Sequence, residues 1–293
     1  MFNEDQDKGG MMMTRQFMRG VMVVMAVGVL LGVGATWAQM GGVVEPAGPD
    51  GSIDWTKGVV TATGFGAPPA NAVNAAQARA MAERAAFLVA TRNLLETVKG
   101  IRVDSATLVE NMIVSSDVIK TEVSGFIQGA QIIKKQVSSD GSVMVTVAMK
   151  LNGDFSNAFL PQSSGGVEVT PMPQGQAPPT TAFTGLIVDA RGIGVRPAVA
   201  PKIRNEEGRE IYGSAFVNRQ YAVEQGMVGY LKDVESAKGN PRVTDRPLMV
   251  KALKTDGPNK TDLVISNSDA QVLHGMKEHL TFLEKARVMV ILD

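Results

Sequence analysis

The stretch Asp189-Ala190-Arg191-Gly192-Ile193-Gly194 places an acid, a base and two glycines directly after the apolar run Gly185–Val188. A strand that ends in such a loop is a common starting point for phosphate binding or metal-assisted hydrolysis. The details argue against both. Two glycines stand where a dinucleotide loop uses three, no Gly-Lys-Ser/Thr follows, and no helical pattern comes next. The zinc amidases that cut peptidoglycan need a histidine beside the strand, and Arg191-Gly192 occupy that place. The two histidines, His274 and His279, are five apart in one predicted helix. That spacing turns their rings about 140° apart, whereas two ligands on one helix want positions three or four apart. Both are expected on the surface. No nucleophile-elbow pattern is present, and the chain has no cysteine. The sequence therefore predicts no catalytic residues, no metal ligands and no cofactor-binding residues, and a protein that is not an enzyme. Asp189 and Arg191 stand as interaction or structural residues. The alternative is a periplasmic ligand-binding protein or peptidoglycan-related hydrolase, with Asp189, Arg191 and the 242–251 region forming one cleft.

The elements that must position these residues are led by the Ala-rich stretch 71–99. Pro68 and Pro69 precede it, Asn71 can cap it, and Gly100 follows. At about 100° per residue, Val73, Ala76, Ala80, Phe87, Leu88, Thr91, Leu94, Leu95 and Val98 share one side. Arg84 falls within that stripe. Its stem is expected to pack while its head reaches Asp104 or Asp117, the functional alternative being a buried anchor for a partner's carboxylate. Strands are predicted over 57–65 and 126–137, the second broken at Gly129. Asp140-Gly141 reads as a hairpin turn, and the alternation from Val143 to Leu151 as the cleanest strand of the chain. Ser116 or Asp117 can start a short helix. The result is an α+β fold: a long helix packed on an antiparallel sheet over 54–160, preceded by a disordered lead at 39–53. A Pro/Gly/Ser-rich linker at 161–182 joins it to a second α/β or α+β domain at 183–293. In that second part, hairpin signals flank Asn205–Gly208, Pro247 marks an edge strand, and a strand–helix–strand unit over 262–292 implies parallel pairing.

The order of elements in the first part, with Arg79, Arg84, Arg92, Asn93, Leu94, Glu96, Gly100, Val103, Gly125, Gly129, Ala130, Asp140 and Gly141, resembles the LPP-twenty lipoprotein domain. It is also similar to the N-terminal domain of flagellar assembly protein T. The resemblance implies a cell-envelope protein, often associated with the outer membrane and with flagellar or other surface assemblies. The lipoprotein branch carries an acylated cysteine; with none here, a lipid anchor is excluded and attachment falls to protein contacts or peptidoglycan.

The address agrees with that class. Arg15 and Arg19 precede the uncharged run Gly20–Trp37, and small residues end it at Ala38. This is the plan of a secretory signal over 1–38, with a retained inner-membrane anchor at 20–37 as the alternative. The 29 basic and 29 acidic side chains balance, which argues against nucleic acid as a partner. The expectation is an exported structural or assembly protein of the periplasm or outer-membrane periphery, with envelope or flagellar proteins, copies of itself and peptidoglycan as the partners to be considered.

Overall fold

The computed structural model describes residues 42–48, 50–161 and 182–293. The expected signal segment, and the expected linker apart from Pro161 and Ala182, lie outside the described residues. The protein is an α+β structure.

In the first part, β1 (Val44–Ala47), β2 (Gly51–Asp54) and β3 (Val59–Gly66) lead into α1 (Ala75–Lys99). Two shorter helices, α2 (Val109–Ser115) and α3 (Asp117–Gln128), precede β4 (Gln131–Val137), β5 (Val143–Lys150) and α4 (Asp154–Phe159). The five strands form one antiparallel sheet in the order β1-β2-β3-β5-β4. The expected disordered lead is thus partly a hairpin, β1 on β2, because Val43 and Ile53 bury their side chains and Pro46 sits on a sheet-edge strand, where a missing N–H costs little.

The long helix lies on the sheet through a face that shares only Leu94 and Val98 as buried residues with the expected stripe, Phe87 and Leu95 packing at its margin. Its buried positions are Ala82, Ala86, Ala90, Leu94, Thr97 and Val98, while Val73 is 84% and Leu88 58% exposed. Backbone proximity decides the matter. A Cβ built on Gly64 would stand 2.2 Å from the Ala90 nitrogen, and one on Gly66 would stand 2.0 Å from the Ala82 oxygen. Glycines on the strand and alanines at four-residue spacing on the helix let the two backbones meet from Ala82 to Ala90, while Leu94 and Val98 fill the core farther along and Val73 and Leu88 turn outward. Asn74, not Asn71, caps the helix, its side chain accepting from the Gln77 amide at 2.9 Å.

Residues 117–128 are helix where strand was expected from 126. Ser116 caps the start by accepting from the Ile119 amide, and Val123 and Ile127 then fall one turn apart on the buried side. The strand begins only after Gly129. In the turn that follows, Asp140 accepts from the Ser142 amide and Gly141 takes φ +82°. Val143, Val145, Val147 and Met149 then alternate into the core as expected.

The second part opens with β6 (Gly185–Asp189), the hairpin β7 (Ile203–Arg204) and β8 (Glu210–Tyr212), and α5 (Arg219–Gln225). It continues through β9 (Gly229–Leu231), α6 (Val234–Lys238), β10 (Pro247–Lys251), β11 (Lys254–Asp256) and β12 (Asp262–Val264). Helices α7 (Asn267–His274) and α8 (Lys277–Glu284) and strand β13 (Val288–Ile291) complete it. Strands β10-β6-β13-β9 make an all-parallel sheet, and β11-β12-β7-β8 a mixed one. The expected parallel unit is divided between them: β13 pairs with β6 and β9, while β12 pairs with β7. Pro247 opens the edge strand β10, as its missing N–H requires.

The two parts share buried side chains and exchange backbone hydrogen bonds. The Val199 amide donates to the Arg102 carbonyl at 3.0 Å, the Ala200 amide to Val103 at 2.7 Å, and the Gly153 amide to Val223 at 2.8 Å.

Candidate functional site

Because β10, β6, β13 and β9 run parallel, their carboxyl ends converge on one edge, the usual binding edge of such sheets. Asp189 ends β6 there, in register with Lys251 on one side and Ile291 on the other. Arg191 folds straight back onto it. The guanidinium donates from Nε to Oδ1 at 2.8 Å and from Nη2 to Oδ2 at 2.7 Å, while the Arg191 amide donates to Oδ1 at 3.2 Å. These bonds, helped by the field of Lys251, hold the Asp189 carboxyl below the usual carboxylate range. The next amide, Gly192, donates to both carboxylate oxygens of Asp293 at 2.9 and 3.1 Å. Gly192 and Gly194 adopt φ +81° and +67°, the left-handed backbone that glycine permits. The N–H that a phosphate loop would offer is therefore occupied by the chain's own carboxylate, and the guanidinium by the neighbouring one. Asp233 is likewise engaged, capping α6 by accepting from the Ser236 amide at 2.7 Å.

The structure brings Asp189, Arg191 and Lys251 together but not Arg242. Strand β10 starts level with Gly185 and ends level with Asp189, so residue 242 lies at the amino end of the sheet. There Arg242 donates from Nε to the Ala286 carbonyl at 2.8 Å, from Nη1 to Gln225 at 2.9 Å, and from Nη2 to Gly226. The single cleft spanning Asp189 and 242–251 does not form.

Both histidines are buried, against the expectation of a surface pair. The expected single helix breaks at Gly275 into α7 and α8, which turns each ring into the core. His274 donates from Nε2 to the Ile211 carbonyl at 2.9 Å and packs on Phe216. Burial pushes its pKa down, aided by the Arg209 charge, although the Ile211 bond opposes this. His279 donates from Nδ1 to the Val272 carbonyl at 2.8 Å and accepts at Nε2 from the Phe183 amide at 3.2 Å. That pair of bonds fixes its neutral tautomer. Among the described residues no group of three or more His, Cys, Asp or Glu could hold a metal ion.

Arg84 is exposed on α1, two residues from both Ala82 and Ala86, and therefore on the side away from the sheet. It forms no ion pair with Asp104 or Asp117; Asp104 instead accepts from the Ala106 and Thr107 amides. The helix-to-sheet ion pair is made by Glu83, to Lys135 on β4 at 2.8 Å.

A charged knot at the junction of the two parts had no signal in the sequence, because its members are far apart along the chain. Glu45 on β1 accepts from Arg102 through Oε2 and from Arg196 through Oε1 at 2.8 Å, and Trp55 Nε1 donates to Oε2 at 3.2 Å. Arg102 also donates to the Pro197 carbonyl at 2.7 Å, with its guanidinium carbon 5.8 Å from the Trp55 ring centre. Burial works to raise the Glu45 pKa, but the bonds from Arg102, Arg196 and Trp55 outweigh it and the pKa is lowered.

With this geometry in place, the second part can be compared with known families. Residues 185–293 are similar to the family described as the second domain of Treponema pallidum Tp0624. The match begins at the first residue of β6 and spans both sheets of the second part. It corrects the resemblance drawn for the first part, since neither the LPP-twenty family nor the flagellar assembly T family is supported. The arginines that carried that resemblance, Arg79, Arg84 and Arg92, are all exposed on α1. A strand, an Ala/Arg-rich helix and a hairpin are shared by many α+β modules and specify none of them. No curated protein matches the chain.

Proposed function

We propose that this protein is an exported cell-envelope component that acts by contact, as a structural or assembly module. The observation that carries this reading is β4. It is the edge strand of the first sheet, exposed at all of its residues from Gln131 to Val137, with Ile132, Ile133 and Val137 open to solvent. A free edge of unpaired backbone groups flanked by exposed isoleucines is a template for strand addition by another chain. Lys134 and Lys135 and the register shift between Ile132 and Lys134 restrain indiscriminate pairing. The opposite reading, chemistry at Asp189, has less support, because Arg191 and Asp293 already satisfy the groups a ligand would use.

The signal-like segment at 1–38 supports export. The match to a second domain of another protein fits a modular layout, with further domains contributing surfaces of their own. With the first-part resemblance withdrawn, nothing favours a flagellar partner over other envelope assemblies. The test is fractionation of the native producer combined with cross-linking at β4. Photo-cross-linker at position 133 should trap an envelope protein or a second copy. A protein that stays in the cytosol, or that yields no adduct at position 133 in its own envelope, would overturn the reading.

A further inference from the structure

At the amino end of the parallel sheet, the two parts of the chain enclose a cleft of about 110 Å³. Trp55, Leu151, Met227, Val228 and Tyr230 give it apolar walls, and the half-buried Arg242 brings a positive charge. The guanidinium is pinned by three carbonyls, those of Ala286, Gln225 and Gly226. Its bonds among the described residues are to carbonyls and not to a carboxylate, one from each nitrogen, which leaves a second N–H on Nη1 and on Nη2. The other polar groups around the cleft are engaged. Thr56 Oγ1 donates to the Tyr230 carbonyl and accepts from the Val43 amide, and the Tyr230 hydroxyl both donates to and accepts from Ala198. Burial pushes the Tyr212 and Tyr230 hydroxyls well above their usual pKa, so neither supplies a negative charge to Arg242. Burial also works against the charge on Arg242 itself.

We propose that this cleft binds a small organic carboxylate, with the free edge of the Arg242 guanidinium as its counter-ion and the Trp55–Tyr230 walls around its aliphatic part. The class follows from charge and shape. A planar carboxylate matches two N–H groups of one guanidinium; the other cation lining the cleft, Lys57, is exposed and paired with Asp54 at 3.4 Å, which leaves one arginine for the ligand, too little positive charge for a phosphate dianion. The apolar walls beside Arg242 suit the aliphatic part of an amino-acid-sized carboxylate. A free short-chain acid and the C-terminal carboxylate of a peptide present the same group. This inference is independent of the assembly reading, and neither depends on the other.

The experiment is calorimetric titration of the full chain at neutral pH with propionate, N-acetylalanine, N-acetylalanine amide and inorganic phosphate. Saturable binding of at least one of the two carboxylates is expected, with the amide inert. Stronger binding of N-acetylalanine than of propionate marks a peptide terminus as the source, and the reverse order a free acid. Arg242→Gln should weaken binding by about tenfold or more, as expected for losing a charge-assisted pair. Because Arg242 also ties down three carbonyls, Asn152→Trp serves as a second variant. Asn152 is an exposed lining residue, and a large ring there obstructs the cleft without touching any bond of Arg242. It should abolish binding while leaving the circular dichroism spectrum unchanged. No carboxylate binding up to about 10 mM, binding of phosphate alone, or carboxylate binding undiminished in Asn152→Trp would each overturn the proposal.

Discussion

Replacing Glu45 with glutamine tests how the two parts of the chain are held together. Glu45 is the only acid that the structure pairs with Arg102 or Arg196 among the described residues. Arg102 is 6% exposed at its side chain, whereas Arg196 is 54% exposed. Removing one partner of a buried pair costs about 3–5 kcal/mol, while an exposed pair contributes about 0–1 kcal/mol. Glu45 is itself partly open to solvent, the Pro197 carbonyl still accepts from Arg102, and the amide retains one acceptor oxygen. These facts lower the expected loss to about 2 kcal/mol at neutral pH, between the exposed and the buried ranges. For a unit of this size that is a fall of roughly 4–8 °C in melting temperature. The pH dependence has a definite sign. The folded-state pKa of Glu45 is lowered from 4.5, so its stabilisation is fully present above pH 4.5 and is lost as pH falls through the folded value. Urea unfolding followed by circular dichroism at pH 7 and at pH 3.5 measures both effects. The gap between wild type and Glu45→Gln should be large at pH 7 and smaller at pH 3.5. A gap below about 0.5 kcal/mol at pH 7, or one that widens on acidification, would refute the reasoning.

Other substitutions test other contacts. Gly64→Ala sets a methyl group 2.2–2.3 Å from backbone atoms of Ala90 and Ala86, so α1 must move off the sheet at a cost of about 1–3 kcal/mol or more. Chemical denaturation reads that loss directly, and a neutral effect would show that the helix and β3 do not meet there. Arg191→Ala should cost less than about 1 kcal/mol, because its pair with Asp189 is exposed; a loss above 2 kcal/mol would contradict that. His274 is held neutral by burial, its pKa lowered from 6.5. The unfolded chain therefore binds more protons below pH 6.5, and stability should fall as pH drops from 7 towards 5. His274→Phe should flatten that slope in melting curves, and an unchanged slope would remove His274 as its cause.

Local patterns were legible where a single element decides the outcome. The alternation from Val143 to Met149, the Asp140-Gly141 turn, the edge position of Pro247 and the hairpin around Asn205–Gly208 follow from the side chains present. The face of α1 was not legible, because hydrophobicity favours leucine while the actual contact favours the alanines that let it approach Gly64 and Gly66. Residues 126–128 looked like strand because their apolar side chains suit either period, and the cap at Ser116 settled them as helix. Of the candidate site, Asp189 and Arg191 were found by their place after a strand, but their mutual closure depends on a side chain turning back two residues. The histidines were misplaced by one helix break. The Glu45 knot joins residues 151 apart and the Arg242 cleft residues at least 174 apart, and both belong to tertiary structure alone.

The central claim, that the protein works through an exposed sheet edge, is tested most directly by its state of association. Multi-angle light scattering of the envelope-extracted protein should show a complex larger than the 31.1 kDa chain. In Ile133→Glu, which puts a charge on the edge while leaving the buried core untouched, that complex should dissociate. A wild-type protein that elutes as a lone chain, or a complex that survives Ile133→Glu intact, would contradict the claim.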